Sequence, residues 1–252
     1  MPIPNIVWIL PRPRRNRYQG GFPLHFEKKL VELLKPSGRI LHPFGGMAEY
    51  GLKVDINPEI NPDIIADAHH LPFKDNAFGM VVCDPPYNSD YSSKLYNTKP
   101  VKYSHYIPEA VRVCKHGGFV VSYHWALTPR PAGTAYRLRI FIAGRVWHRP
   151  RIACVFQKEQ EGELMSGIQE GDRGCLTGNA VGVKELLNIL ACPTCKGDLK
   201  LEIEKEEEED KILKGSLYCP FCSLRYPIEQ GIPNLLPPKP KRKSKVRAKS
   251  PQ

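Results

Sequence analysis

Two cysteine pairs constrain the folding of this chain most: Cys192-Pro193-Thr194-Cys195 and Cys219-Pro220-Phe221-Cys222. Each has the spacing of a hairpin knuckle that points two sulfurs at one centre, and two knuckles supply the four ligands of a tetrahedral zinc. The chain between them must therefore fold back on itself. That stretch holds the acidic run Glu204 to Asp210, which reads as a solvated hairpin tip. Disulfides and redox dithiols are the competing uses of such pairs. Val7-Trp8-Ile9-Leu10 is too short for the apolar core of a leader and is followed at once by Pro11, so a reducing, cytoplasmic setting is expected and zinc preferred. With four cysteine ligands no coordination position stays open, so this zinc is expected to be structural. No apolar segment is long enough to span a bilayer.

A chain of 252 residues has room for one sizeable core and a small satellite. We expect a first domain over 1–158, a linker over 159–182, a zinc-binding domain over 183–238 and a disordered basic tail over 239–252. The linker assignment rests on a stretch rich in Glu, Gly, Ser and Gln with little apolar periodicity.

In the first domain, the run Phe78-Gly79-Met80-Val81-Val82-Cys83 has the continuous apolar character of a buried strand. It ends in Asp84-Pro85-Pro86-Tyr87. A strand with that ending sets a carboxylate, a proline carbonyl and an aromatic face at the carboxyl edge of a sheet, where open α/β sheets bind ligands. The carboxylate and carbonyl can accept the two hydrogens of an exocyclic amine, and the ring can stack on a base taken out of its helix. Pro85 and Pro86 stiffen the turn, so the acceptors are set before substrate arrives. A strand followed by a Pro-rich turn is the plain competing reading.

The flanking residues carry a resemblance. Gly20-Gly21-Phe22-Pro23 leads into Leu24 to Leu34, apolar at helical spacing; Arg39 to Gly46, Leu52-Lys53-Val54-Asp55 and Ile64 to Ala68 with Leu71-Pro72-Phe73 follow, and Glu109 to Lys115 precedes Gly117-Gly118-Phe119-Val120-Val121. From about Tyr18 to Lys158 this is similar to the S-adenosylmethionine-dependent methyltransferases, in particular the amino-methylating DNA and RNA enzymes. The resemblance implies a Rossmann-like α/β sheet with flanking helices. It implies cofactor contacts at Phe44, Gly45, Gly46, Asp55, Asp67 and Ala68, and catalytic roles for Asp84, Pro85, Pro86 and Tyr87. Two departures stand out. His42 takes the place of the acid that usually opens the glycine loop, and the stretch from Gly46 to Asp55 is too short for a crossover helix. Either that helix has shrunk to a turn around Met47-Ala48-Glu49, or Asp55 sits differently from its counterpart.

Val183 to Ala191 before the first knuckle and Tyr226 to Leu236 after the second make a second resemblance. Over about Val183 to Pro238 the chain resembles the small zinc-binding activator subunit of several tRNA, rRNA and release-factor methyltransferases, and its short bacterial relatives. The resemblance implies a small, mostly β domain, with Cys192, Cys195, Cys219 and Cys222 as metal ligands, packed on its own methyltransferase domain.

The formal net charge is +11. Part of it is the tail, where seven Lys and Arg from Lys239 to Lys249 meet no acid. More telling is the stretch between Glu109 and Glu159, which contains no Asp or Glu. It carries nine basic residues from Arg112 to Lys158, interleaved with Trp125, Tyr136, Trp147 and His148. Basic residues with aromatics suit phosphate contact plus base stacking; scattered solubilising charge is the bland reading. Cys83, Cys114 and Cys154 fit core positions. His69, His70 and His124 read as loop or strand-end residues.

The expected function is therefore methylation of an exocyclic amine of a nucleobase, with S-adenosylmethionine as cofactor and RNA preferred over DNA. A protein glutamine-amide methyltransferase and a non-enzymatic zinc-containing nucleic-acid-binding or activator protein are the rivals. No membrane partner is expected.

Overall fold

The computed structural model describes residues 2–12, 21–86, 101–144, 150–160, 182–206 and 212–237. The larger layer is an eight-stranded sheet. Its strands are β1 (Asn5–Ile9), β2 (Ile40–His42), β3 (Leu52–Asp55), β4 (Ile64–Ile65), β5 (Phe78–Cys83), β6 (Cys114–His124), β7 (Thr134–Ala143) and β8 (Arg151–Lys158). They lie in the order β1-β7-β8-β6-β5-β2-β3-β4. Every neighbouring pair is parallel except those of β8, which runs antiparallel to β6 and β7. The fold is thus mixed α/β with a mostly parallel sheet.

Both faces of the central strands are covered, and β5 shows it residue by residue. In β5, Met80 and Val82 join one apolar cluster and Val81 and Cys83 the other, the alternation that a pleated strand imposes. All of β5 is buried, which is why its sequence is continuously apolar. Helix α1 (Phe26–Leu34) covers the first face with Phe26 and Leu30, one turn apart and fully buried. Burial of each side chain contributes about 1.5–3 kcal/mol. The helix stops at Lys35, whose left-handed backbone lets its N–H reach the Val31 carbonyl at 2.8 Å, and Pro36 cannot continue it.

Helix α2 (Tyr103–Val113) covers the second face with Tyr106, Ile107, Ala110 and Val113. The stretch that the family resemblance marks, Glu109 to Lys115, starts only after Pro108. Pro108 instead lies inside the helix. An interior proline costs about 3 kcal/mol, and burial of Tyr106 and Ile107 on the turn that Pro108 interrupts offsets it. The chain turns to strand at Cys114.

The connection from β2 to β3 has no helix. Pro43 to Gly51 folds as a turn that lies against β3, with the Gly45 N–H on the Val54 carbonyl at 2.7 Å. A side chain at Gly45 would place Cβ 2.8 Å from Lys53 Cβ, so glycine is required for that approach.

The smaller layer follows α3 (Val183–Leu186). It is an antiparallel sheet of β9 (Lys200–Glu206), β10 (Ile212–Cys219), β11 (Leu224–Glu229) and β12 (Ile232–Pro233), in the order β12-β11-β10-β9. Leu186, Leu190, Tyr226, Ile228 and Leu235 share one core with Ile64, Leu71 and Phe73 of the large layer. The backbones also join. Leu235 donates to Ile65 at 2.8 Å, Ala191 to Pro72 at 2.9 Å, and Lys74 to Ile189 at 2.9 Å. The acidic run begins within β9, at Glu204; residues 207–210 of it lie outside the described residues. Among the described residues no helix is long and apolar enough to cross a membrane.

Candidate functional site

The two knuckles converge. Cys192 and Cys195 stand in the turn before β9, Cys219 ends β10, and Cys222 lies in the turn to β11. Their sulfurs all lie within 4.8 Å of one another, and Cys195 Sγ is 3.6 Å from Cys219 Sγ. A zinc with bonds of ~2.3 Å needs sulfurs ~3.8 Å apart at the corners of its tetrahedron, so the donor set and its size fit structural zinc. Burial pushes the Cys192 thiol up. Hydrogen bonds from the Tyr226 hydroxyl and from the backbone N–H of Cys195 and Thr194 outweigh burial and bring it down to about 7. The thiolate that zinc needs is thereby favoured.

Beside the knuckle, Lys196 reaches the large layer. Its Nζ donates to the Leu71 carbonyl at 3.1 Å and to the Glu109 carboxylate at 2.8 Å. Arg112 binds the same carboxylate and donates to the carbonyls of Phe73 and Leu71. The loop after β4 is thus held by a cation from each domain. Burial alone would raise the Glu109 carboxyl, but the bonds from Arg112 and Lys196 hold it below the usual carboxylate range.

The other candidate residues meet at the carboxyl edge of the large sheet. From β2 the chain steps outward to β3 and β4, then returns to β5 on the other side of β2. Open α/β sheets bind ligands outside the carboxyl ends of their strands at such a reversal, which here falls between β2 and β5. Phe44, Gly45 and Gly46 follow β2, Asp55 ends β3, Asp67 and Ala68 follow β4, and Asp84, Pro85 and Pro86 follow β5. Tyr87 lies outside the described residues.

Asp55 is buried, which raises its carboxyl against bonds from Asn57, Gly46 and Ile56. Its Oδ2 is 3.5 Å from the Gly46 N–H and its Oδ1 2.9 Å from that of Asn57. The turn replaces the crossover helix and still leaves Asp55 beside the glycine loop. Asp67 Oδ1 accepts the His69 backbone N–H at 2.9 Å and meets its ring Nδ1 at 2.7 Å. Burial would raise that carboxyl, but these bonds and the charge of His69 bring it down. Two aromatic pairs, Phe44 on Tyr106 with ring centres 5.1 Å apart and Phe22 on Tyr123 at 5.2 Å, each contain a tyrosine that feels the Asp84 charge. Burial first and the Asp84 carboxylate second raise the Tyr123 phenol, keeping it protonated.

Sequence reasoning missed Glu27. From the first turn of α1 its carboxylate accepts the backbone N–H of Glu49 at 3.0 Å and of Tyr50 at 3.3 Å, pinning the turn that replaces the crossover helix. An acid in a first turn is ordinary dipole complementarity, so nothing marked it.

Four cysteine sulfurs on two knuckles beside a small antiparallel sheet define a zinc-ribbon domain. Residues 184–231 match the family described as Trm112p-like protein. The chain is 49% identical over 53 residues to a UPF0434 protein of Shewanella frigidimarina, a span that is 21% of this chain and 76% of that protein. It is 51% identical over 53 residues to a UPF0434 protein of Shewanella amazonensis (21% of this chain, 72% of that one). With a UPF0434 protein of Coxiella burnetii the identity is 48% over 54 residues (21% and 80%). Through this C-terminal domain the chain belongs to the Trm112p-like family. Among solved structures, PH0226 protein from Pyrococcus horikoshii OT3 aligns over 53% of this chain and 87% of its own, with 14% identity and a TM-score of 0.34, too low to bear on the fold.

Proposed function

We propose that the chain is an S-adenosylmethionine-dependent methyltransferase acting on the exocyclic amine of a nucleobase, RNA in preference to DNA. One observation carries this reading: the glycine loop, Asp55, Asp67 and Asp84-Pro85-Pro86 come to a single sheet edge, where the strand order reverses. The core strands β4-β3-β2-β5-β6 follow the order of the doubly wound α/β folds, third-second-first-fourth-fifth, which bind nucleotides at this point.

The residues present suit the cofactor. A Cβ at Gly46 would meet nothing nearer than the Phe44 carbonyl at 3.8 Å, leaving backbone open to a close-lying ligand. Asp55, an acceptor beside that loop, would take the ribose hydroxyls, and Asp67 and Ala68 would hold the adenine. Bound there, S-adenosylmethionine supplies an electrophilic methyl group. Asp84 and the Pro85 carbonyl would accept the hydrogens of the target amine and aim its lone pair. By the family resemblance, Tyr87 would stack on the base. No separate base is needed before attack, because the proton can leave afterwards.

The Trm112p-like domain supports a methyltransferase-associated role, since the family it resembles activates methyltransferases with translation-related targets. That association favours RNA. The test is transfer of radiolabelled methyl into RNA, DNA and protein fractions, beside Asp84→Ala. Label that RNase removes and the variant lacks supports the reading; label only in protein moves the acceptor to a glutamine amide.

A second reading has its own observation: residues 184–231 match the Trm112p-like family. A non-enzymatic nucleic-acid-binding or activator protein would give no heat on calorimetric titration with S-adenosylmethionine.

A further inference from the structure

Of the aromatics interleaved with the acid-free basic stretch, the structure separates those that can receive a base from those that cannot. Tyr136 is committed to the fold: its ring packs on Phe156 with centres 4.6 Å apart, and Arg139 lies over it at 5.0 Å. Trp147 and His148 lie outside the described residues. Trp125 differs. It follows the last residue of β6 and is 52% exposed, as is Leu127.

Its position relative to Asp84 follows from strand register. Cys83 of β5 pairs with Ser122 of β6, so Asp84 and the Tyr123-His124-Trp125 segment leave the same edge side by side. On the far side, His124 pairs with Ile152 of β8, next to Arg151. Asp84 and Arg151 both act on the Tyr123 phenol, and Arg151 also acts on His124. The edge therefore runs from the amine-accepting carboxylate, past Trp125, to a fixed positive charge.

The shelf is also preorganised. The His124 ring lies against Trp125 with centres 5.5 Å apart and planes tilted by 32°. Its Nδ1 accepts the Ala126 N–H at 3.2 Å, which fixes the ring and leaves Nε2 to carry the proton in the neutral form. The loop is tied down further on, where the Tyr103 hydroxyl donates to the Pro129 carbonyl at 2.6 Å. An exposed indole held still beside a cation is costly to water and suited to a base and its phosphate.

We infer that Trp125, steadied by His124, is the stacking platform for the nucleotide next to the one presented to Asp84, and that the ligand is single-stranded nucleic acid crossing the sheet edge from β5 over β6 toward Arg151. This rests on the nucleic-acid reading of the same edge. It excludes intact duplex, whose bases are closed to a side-on indole, and it gives Leu127 the role of apolar floor.

The experiment uses the full zinc-loaded chain without cofactor. The protein has three tryptophans, and Trp8→Phe with Trp147→Phe leaves Trp125 as the only indole. Titration with an unstructured RNA oligonucleotide is expected to quench its fluorescence to saturation, while the same sequence annealed as a duplex does not. In the native background Trp125→Ala weakens single-strand binding about tenfold and Trp125→Phe about twofold, with unchanged thermal midpoints. Equal binding by Trp125→Ala, an unquenched indole, no single-strand binding, or quenching only by a glutamine-containing peptide each overturns the inference. Because the titration reads binding and methyl transfer is assayed apart from it, the two readings fail separately. Trp125-dependent binding without methyl transfer removes the enzyme; RNA methylation with a KM unchanged in Trp125→Ala removes the platform.

Discussion

His42 Nε2 lies 3.3 Å from Glu27 Oε1, with the His42 side chain 1% and that of Glu27 9% exposed, where β2 gives way to the glycine loop. The contact is off-line, and neither ring nitrogen makes a well-directed hydrogen bond. Glu27 spends its acceptors on the loop backbone instead. An acid thus stands beside position 42, contributed by α1, where the resembling family carries one at that position itself.

This pair gives a pH signature. Burial pushes Glu27 up from 4.5 to about 7, so between those values the fold holds a proton that the unfolded chain has released. Its contribution is full below pH 4.5 and is lost as pH rises to 7. Burial pushes His42 down from 6.5 to about 3, so its contribution is full above 6.5 and is lost as pH falls to 3. From pH 4.5 to 6.5 the two oppose each other. Glu27→Gln leaves His42 alone, and the stability of the variant minus that of the native protein should rise by about 1 kcal/mol per pH unit over that range. Denaturant unfolding at several pH values reads it, and effects common to both proteins, zinc ligation included, cancel. A flat difference would refute the assignment.

Zinc content should be near one per chain and should vanish in Cys192→Ser. Because Leu186, Leu190 and Tyr226 share a core with Phe73 and Leu71, chelation should expose more than the ribbon. Hydrogen exchange is expected to lose protection at Lys74 and Ala191 as well as in β10 and β11. Protection lost from the ribbon alone would show that the two layers are uncoupled.

Glu109→Gln removes the charge that Arg112 and Lys196 share between the domains. Since all three side chains are partly exposed, the cost should be about 2 kcal/mol, below that of a fully buried pair. Lys196→Met should cost less, because Glu109 keeps Arg112. Thermal melts of both variants decide the order.

Gly79 lies within β5, and a Cβ there would fall 1.8 Å from the Ser37 carbonyl. Gly79→Ala should destabilise the protein by about 3 kcal/mol or more and displace the strand that carries Asp84. Gly133, where a Cβ would meet nothing within 4 Å, provides the control for added volume, although its φ of +69° adds a modest strain of its own. A stable Gly79→Ala protein would mean that β5 and the Ser37 turn are less closely packed than described.

How much of this was legible in the sequence depended on whether the determining signal is local. The run Phe78–Cys83 announced a strand because both its faces are buried. The knuckles announced their own meeting because their spacing encodes it. Burial of the Glu27 carboxylate left no mark, since a first-turn acid looks the same exposed or buried. Nor did the parallel seating of β1 against β7: Val7-Trp8-Ile9-Leu10 is apolar, but which edge it joins is decided by backbone pairing with Arg139 to Ala143. The bonds from Ala191 and Leu235 to Pro72 and Ile65 are equally silent, because main-chain groups carry no residue identity. Asp84, Asp55 and the glycine loop were legible as pieces, and the strand order brings them to one edge.

The bridges of Asn234 to Ile65 and Leu190 to Phe73 have a consequence for solubility. A sheet that ends in a bare strand offers its unpaired amides to any other chain. Here the β4 side is closed by the protein's own four-cysteine domain, so loss of a metal held there would uncover a template for self-association. Under zinc starvation the expected fate of this chain is therefore aggregation.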